Sequence, residues 1–123
     1  MELSRTQIQY LLTIYEMLEK GPVRLRDIAE AMQVSKPSVH GMEEQFVQMG
    51  LLEKKRYSSI QMTFLGEQVA KEYGNLLQLL CGCLEETLGI SPALSKNSAL
   101  ALLGEWSRES RQQISQHLWK KSK

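Results

Sequence analysis

The stretch at residues 25–63 constrains the fold of this chain more than any other part of the sequence. Apolar residues at one-face spacing predict a helix over Leu25–Met32, and a second helix follows a tight turn. Ser35 is a natural N-cap for the second helix, Pro37 fits its first turn, and Gly50 is a usual C-terminal stop. Four apolar residues predict its buried side: Val39, Met42, Phe46 and Met49.

Two short strand patterns follow the second helix, at residues 51–56 and 58–62. They flank a basic tip that contains Lys54, Lys55 and Arg56. Helix, turn, helix and a two-stranded wing together predict a winged helix-turn-helix. In such a unit the second helix enters the major groove of DNA.

The rest of the chain is predicted to be helical. One helix precedes the pair, with Ser4 as its N-cap, and a long helix of roughly residues 64–88 follows the wing behind Thr63. Two more helices are predicted near residues 92–104 and 107–119. The fold class is therefore mainly α with a small β-wing, divided into a winged helix-turn-helix domain at 1–63 and a helical dimerisation domain at 64–123.

Small residues form a row on the long helix: Gly66, Ala70, Gly74 and Gly82. Because glycine inside a helix costs about 1 kcal/mol against alanine, the row predicts that another helix lies close to this face; the alternative is that the glycines mark bends or a break near Gly74. The apolar segment at residues 93–103, with Trp106 and Trp119 beyond it, is too apolar to be covered by the remaining chain. These features predict a two-fold homodimer.

Bulk charge gives little guidance to a partner. The 123 residues carry a net charge of +1, and residues 1–65 hold eight Lys and Arg against eight Asp and Glu. Any affinity for nucleic acid must come from local clustering of positive charge. The chain has no secretory or membrane-spanning pattern, and Cys81 and Cys83 point apart on a helix, so we expect a reduced cytoplasmic protein. No nucleophile–base arrangement, carboxylate pair or phosphate-binding glycine loop indicates an enzyme.

Several segments in order resemble the diphtheria-toxin-repressor family of iron- and manganese-responsive bacterial transcriptional regulators. These segments are IYEMLE, VRLRDIAEAM, VSKPSVHGM and the MTFLG that starts the long helix. The resemblance covers roughly residues 8–90. It implies a winged-helix domain joined by the long helix to a dimerisation domain, binding to palindromic operators, and a short form without the SH3-like domain of longer members.

The resemblance also implies which residues contact DNA. Seven of them flank the two helix starts, and three lie at the wing tip: Arg24, Arg26, Ser35, Lys36, Pro37, Ser38, His40, Lys54, Lys55 and Arg56. Basic and hydroxyl side chains can hold phosphates, and a proline ring can touch a thymine methyl. Gly41 stands where some members carry a long polar side chain that reads bases. Gln45 and Gln48 stand where some members carry arginines.

The metal ligands of the family are not retained in this alignment. The ligand positions on the first and long helices fall on Gln9, Leu12 and Leu77, and the last ligand set falls on residues 99–103, which have no donor side chain. We therefore expect no metal cofactor, while leaving iron or manganese open. An unrelated site built from Cys81, Cys83, Glu85 and His117 also remains open.

The sequence thus predicts a homodimeric DNA-binding transcriptional regulator, most simply a repressor, that is not activated by metal. Two alternatives stay open. One is a winged-helix module that binds a partner protein instead of DNA, which Glu43 and Glu44 on the second helix of the pair would favour. The other is a metal-responsive repressor with displaced ligands.

Overall fold

The computed structural model describes residues 1–53 and 59–122. It contains six helices in that part of the chain: α1 Arg5–Lys20, α2 Leu25–Met32, α3 Lys36–Gln48, α4 Phe64–Leu88, α5 Pro92–Glu105 and α6 Arg108–Ser122. The mainly helical fold class is confirmed, and the predicted helices lie close to the observed bounds. Among the described residues, no helix is long and apolar enough to cross a membrane.

Local capping explains where the helices begin. At α1 the Ser4 hydroxyl accepts a hydrogen bond from the Gln7 amide at 3.2 Å, and the Gln7 side chain accepts one from the Ser4 amide at 3.0 Å. This reciprocal pair satisfies two backbone donors that a helix start otherwise leaves open. The start of α6 uses the same chemistry, since Ser107 accepts from the Ser110 amide at 3.1 Å.

The chain packs as two compact units, Tyr10–Lys71 and Met1–Gln9 with Glu72–Lys123. The first unit contains α2 and α3, which pack against each other. Its core includes these fully buried side chains: Leu11, Ile14, Val23, Ile28, Val39, Phe46 and Leu51. The predicted domains, 1–63 for DNA binding and 64–123 for dimerisation, are functional divisions and stay a proposal. The two compact units are defined by packing alone.

The predicted wing lies partly outside the described residues, because Lys54, Lys55 and Arg56 fall in the gap at 54–58. Within the described part no strand forms, and one isolated antiparallel bridge joins Leu52 to Met62. The Glu53 amide donates to the Gln61 carbonyl at 2.9 Å. The backbone on either side of the gap is therefore paired, although the predicted strands at 51–56 and 58–62 are not formed in the described residues.

The start of α4 is anchored on the segment that follows α3. The Thr63 hydroxyl donates to the Gly50 carbonyl at 2.6 Å and accepts from the Gly66 amide at 2.9 Å, so the predicted N-cap is confirmed. The Thr63 amide donates to the Leu51 carbonyl at 3.0 Å. A Cβ at residue 66 would overlap that same carbonyl oxygen and lie 2.7 Å from the Cγ of Met62. Only glycine fits at this position.

This contact corrects the interpretation of the small-residue row on α4. The close neighbour of Gly66 is the backbone of a loop at Leu51, not a helix. At Gly82 a Cβ would meet no described atom within 4 Å. The prediction of a close helix is therefore wrong at Gly66, whereas at Gly82, where the described part of this chain leaves open space, it stays a prediction.

The second unit is built on α4, α5 and α6. Its buried side chains come mainly from the first two of these helices: Leu76, Leu77, Leu80, Leu84, Ser95, Ala99, Leu100 and Leu103. Ser95 is a buried hydroxyl, and it donates to the Glu85 carboxylate at 2.7 Å. This bond satisfies a polar group at low cost and links α5 to α4.

Tyr73 fixes the N-terminal segment within the second unit. Its buried hydroxyl accepts from the Leu3 amide at 3.1 Å and donates to the Met1 carbonyl at 3.2 Å. Arg111 of α6 lies over the ring at 4.8 Å from its centroid and also donates to the Met1 carbonyl at 2.5 Å. Burial raises the pKa of Tyr73 above the ordinary value of 10.0.

We expect the Tyr73→Phe variant to lose about 1–2 kcal/mol of unfolding free energy at pH 7, because a buried amide loses its acceptor. The deficit should narrow above pH 10. An unfolded tyrosine ionises near pH 10, whereas the raised pKa keeps folded Tyr73 protonated, so its contribution to stability is lost as pH rises. Urea unfolding of both proteins between pH 7 and 10.5 checks this. A deficit that grows with pH would contradict it.

Candidate nucleic-acid interface

The turn between α2 and α3 is set by two residues. Gln33 adopts the left-handed conformation at φ 55° and ends α2, and the Val34 amide returns to the Ala29 carbonyl at 3.0 Å. Ser35 then caps α3 by accepting from the Ser38 amide at 3.2 Å. The predicted N-cap is therefore confirmed, and the turn aims the first residues of α3 away from the core.

The start of α3 presents a row of short polar and basic side chains. Lys36, Pro37, Ser38 and His40 are all exposed, while Val39 between them is buried. The hydroxyls of Ser35 and Ser38 lie 2.9 Å apart and bond to each other. Hydroxyls, a lysine and a helix N-terminus in one place form a set of groups that can hold phosphate oxygens.

The start of α2 adds two exposed arginines in the same compact unit. The Arg24 amide donates to the Asp27 carboxylate at 2.9 Å, which holds the first turn in place. The Arg26 guanidinium is 3.9 Å from Asp27, and both side chains face solvent. An exposed pair at this distance contributes little energy, so the Arg26 charge remains available to a phosphate.

Seven of the ten predicted DNA-contacting residues thus occupy exposed positions on one unit, at the starts of α2 and α3. The other three, Lys54, Lys55 and Arg56, lie outside the described residues. Whether the seven contact DNA stays a prediction.

The buried side of α3 differs from the prediction. Glu43 is buried, whereas Met42 and Met49 are only partly buried. Glu43 lies four residues after Val39 and three before Phe46, so it falls in line with the two core residues of the helix. The sequence contains this spacing, but Glu43 was not predicted to be buried because its side chain is charged. Of the two glutamates that favoured a protein-binding module, only Glu44 faces solvent.

His40 lies between these two carboxylates. Its Nε2 is 3.0 Å from the Glu44 carboxylate, and its Nδ1 is 3.7 Å from the Glu43 carboxylate. The side chains of His40 and Glu44 are 57% and 64% exposed, so this pair stands on the outer face of α3. The sequence placed His40 at the interface but did not identify Glu44 as its partner.

The described residues contain no group of three or more His, Cys, Asp or Glu side chains that could hold a metal ion. Among the positions that the resemblance assigns to metal ligands, Leu12, Leu77, Leu100 and Leu103 are buried apolar side chains, and Gln9 is a partly buried amide. The leucines offer no donor atom and a single amide is not a ligand set, so these residues do not fit a metal ion.

The four donors of the possible unrelated site are not gathered either. The Cys83 thiol is 4.0 Å from the Thr87 hydroxyl, and the Glu85 carboxylate accepts a hydrogen bond from Ser95. His117 is exposed on α6. Within the part of the chain described, the structure does not bring these donors together as a ligand set.

Residues 2–60 match the family model described as iron dependent repressor, N-terminal DNA binding domain. The matched range contains both helices of the helix-turn-helix and the seven exposed candidates. No curated protein sequence matches the chain. The resemblance to the diphtheria-toxin-repressor family is confirmed by this match together with the solved structures that share the fold.

Three of those structures illustrate the likeness. The manganese regulator SloR has a TM-score of 0.77 at 24% identity, covering 96% of this chain and 54% of its own. ScaR with bound Zn²⁺ has a TM-score of 0.74 at 26% identity, covering 91% and 53%. The hypothetical protein SSo2273 from Sulfolobus solfataricus has a TM-score of 0.74 at 21% identity, covering 96% and 91%. The chain thus spans about half the length of the two named regulators. The family model describes a DNA-binding domain and the two named structures are described as regulators, so the members of this family are regulators and not enzymes.

Proposed function

We propose, from the similarity of this chain to the diphtheria-toxin-repressor family and of residues 2–60 to its DNA-binding domain, that the protein is a DNA-binding transcriptional repressor. It acts in the cytoplasm, where such regulators meet DNA. Its operator is palindromic, and α3 is the helix that enters the major groove.

One observation carries this proposal. The capped start of α3 and the start of α2 present six exposed polar or basic side chains and one proline within a single compact unit. Val39 and Phe46 are the buried residues that attach α3 to the core, so the residues on the outer face of the helix are not needed for packing. Positive groups at the helix starts compensate for the lack of bulk positive charge.

The salt dependence of DNA affinity tests the proposal. Arg24, Arg26, Lys36 and the three wing-tip residues supply up to about twelve positive charges in a dimer. If about half of them displace counterions, the slope of log K against log salt should be near −5. Fluorescence anisotropy on a labelled duplex, from low to physiological salt, measures this slope. Affinity that is absent at low salt would overturn the proposal.

The repressor is proposed to be a homodimer formed by the second unit. Three of its apolar side chains remain exposed in the isolated chain: Leu88 at 67%, Leu94 at 61% and Trp119 at 54%. Exposed apolar groups of this size on neighbouring helices support a self-complementary interface. Sedimentation equilibrium should give a dimer at micromolar concentration, and a Leu94→Glu variant should shift it toward monomer. A wild-type monomer at this concentration would contradict the proposal.

DNA binding is also proposed to be independent of metal. The support is the set of buried leucines at the positions that the family resemblance assigns to ligands, together with the lack of a metal-binding group in the described residues. The relatives carry names that describe manganese-responsive or metal-dependent regulation. One comparison distinguishes metal-independent from metal-dependent DNA binding. The operator affinity of this chain should be the same with a chelator and with added manganese, whereas a metal-dependent regulator would bind only with manganese.

A further inference from the structure

The outer face of α3 has an unusual charge pattern for a helix that meets DNA. Pro37, His40, Gly41, Glu44 and Gln48 recur at spacings of three and four, so they lie along one stripe. The stripe contains one carboxylate, Glu44, and it is exposed. A carboxylate facing phosphates is repelled, and it is favourable only where it meets a hydrogen-bond donor.

Glu44 is held in position by its neighbour one turn earlier. The Nε2 of His40 lies 3.0 Å from the Glu44 carboxylate, which is an ion-pair contact between neighbouring turns of the helix. On its other side the ring faces Glu43, with 3.7 Å between Nδ1 and the carboxylate. His40 is thus confined between two carboxylates on the same helix. The second oxygen of Glu44 retains lone pairs that can accept from another donor.

Gly41 leaves a gap in the stripe between these two side chains. A Cβ at this residue would meet no described atom within 4 Å, so the glycine is not required by packing. With no side chain there, the edge of a base can approach the helix backbone closely. His40 and Glu44 then flank the point of closest approach.

The major groove offers few donors that a carboxylate can accept from. Cytosine presents its N4 amino group, whereas guanine and thymine present acceptors that a carboxylate repels. Adenine presents an amino donor beside the N7 acceptor, a pattern that an amide matches better than a carboxylate does. The chemistry of Glu44 therefore selects for cytosine.

We propose that Glu44, oriented by His40, determines sequence specificity by accepting a hydrogen bond from a cytosine amino group in each operator half-site. The inference rests on the proposed function, because it requires α3 to lie in the major groove. Glu44 is the specificity-determining residue, and His40 is a positioning residue that acts through it.

Selection from a random duplex pool tests this with the full chain and four variants. Wild type should enrich one cytosine per half-site, with a preference over the other bases of roughly ten- to a hundred-fold. Glu44→Gln should move the preference at that position to adenine, since an amide pairs with adenine N6 and N7. Glu44→Ala should remove the preference at that position and leave the rest of the site unchanged.

The His40 variants separate positioning from a structural role. His40→Gln keeps a donor at i−4 from Glu44 and should retain most of the cytosine preference. His40→Ala should reduce that preference while the same base remains first. Circular dichroism and thermal unfolding confirm that each variant is folded, so that a change in preference is not a loss of structure.

The outcomes also separate this inference from the proposed function. A wild-type selection that enriches no sequence overturns both. A wild-type selection that enriches a site, with Glu44→Gln and Glu44→Ala choosing the same base as wild type at every position, overturns the inference alone. In that case Glu44 acts only as a repulsive charge, and both variants bind all sequences more tightly.

Discussion

Replacing Gly66 by alanine is expected to destabilise the fold by about 3 kcal/mol or more, which lowers the melting temperature by roughly 10 °C. The added methyl would overlap the Leu51 carbonyl oxygen. This neighbour cannot rotate away, because the carbonyl belongs to the backbone and accepts from the Thr63 amide at 3.0 Å. Relief requires that α4 move from its anchor, which would break the Thr63 cap. Thermal and urea unfolding measure the loss.

Gly41→Ala is the matched control, since it adds the same methyl group to a helix in the same compact unit. A Cβ at residue 41 would meet no described atom within 4 Å, and alanine has the higher helix propensity. We expect this variant to be more stable than wild type by up to about 1 kcal/mol. Equal effects of the two substitutions would show that the close approach at Gly66 is not present in solution.

The second large effect is expected in DNA binding. A triple variant with Arg24, Arg26 and Lys36 changed to alanine should lose at least about a hundred-fold in affinity at physiological salt, because a dimer loses six phosphate-facing charges. The loss should be similar for all sequences, since phosphate contacts carry no base preference. For the triple variant, the slope of log K against log salt should be shallower than for wild type. Anisotropy titrations on one labelled duplex measure both quantities.

The matched control removes the same charge from exposed lysines elsewhere: Lys20, Lys71 and Lys96. These residues lie on other helices than α2 and α3, at the end of α1 and on α4 and α5. This variant has the same net charge as the first and should bind DNA within a few-fold of wild type. If both variants lost affinity equally, the attraction would come from overall charge and the proposed interface would be wrong.

Local sequence signals were sufficient for most of the fold. Ser4, Ser35 and Thr63 are caps because a hydroxyl before an amphipathic segment satisfies open backbone donors, and this chemistry needs no tertiary information. Gly50 is also a local signal. It adopts a positive φ of 78° just after α3, a conformation that favours glycine. The helix bounds follow from these residues together with apolar spacing.

Tertiary contacts were not visible in the same way. The row of small residues on α4 suggested one packed helix, yet Gly66 accommodates a loop carbonyl and Gly82 has open space beside it. Sequence spacing shows which residues share a face but not what lies opposite. The burial of Glu43 was not predicted, because a charged residue is expected in solvent although its spacing placed it on the core face. In the structure it is buried on that face.

The exposed positions of the candidate site were easier to predict than their interactions. Lys36, Ser38 and His40 were identified from the helix start, and all three are exposed. The pairing of His40 with Glu44 depends on rotamers at i and i+4, which a sequence does not specify.

This chain is proposed to recognise DNA through α3 without a metal signal. The most direct measurement is selection from a random duplex pool by the full chain, once with a chelator and once with added manganese. We expect both arms to enrich the same two-fold-symmetric sequence, with half-sites about one helical turn apart. Pools that stay random in both arms at low salt, or enrichment only in the manganese arm, would contradict it.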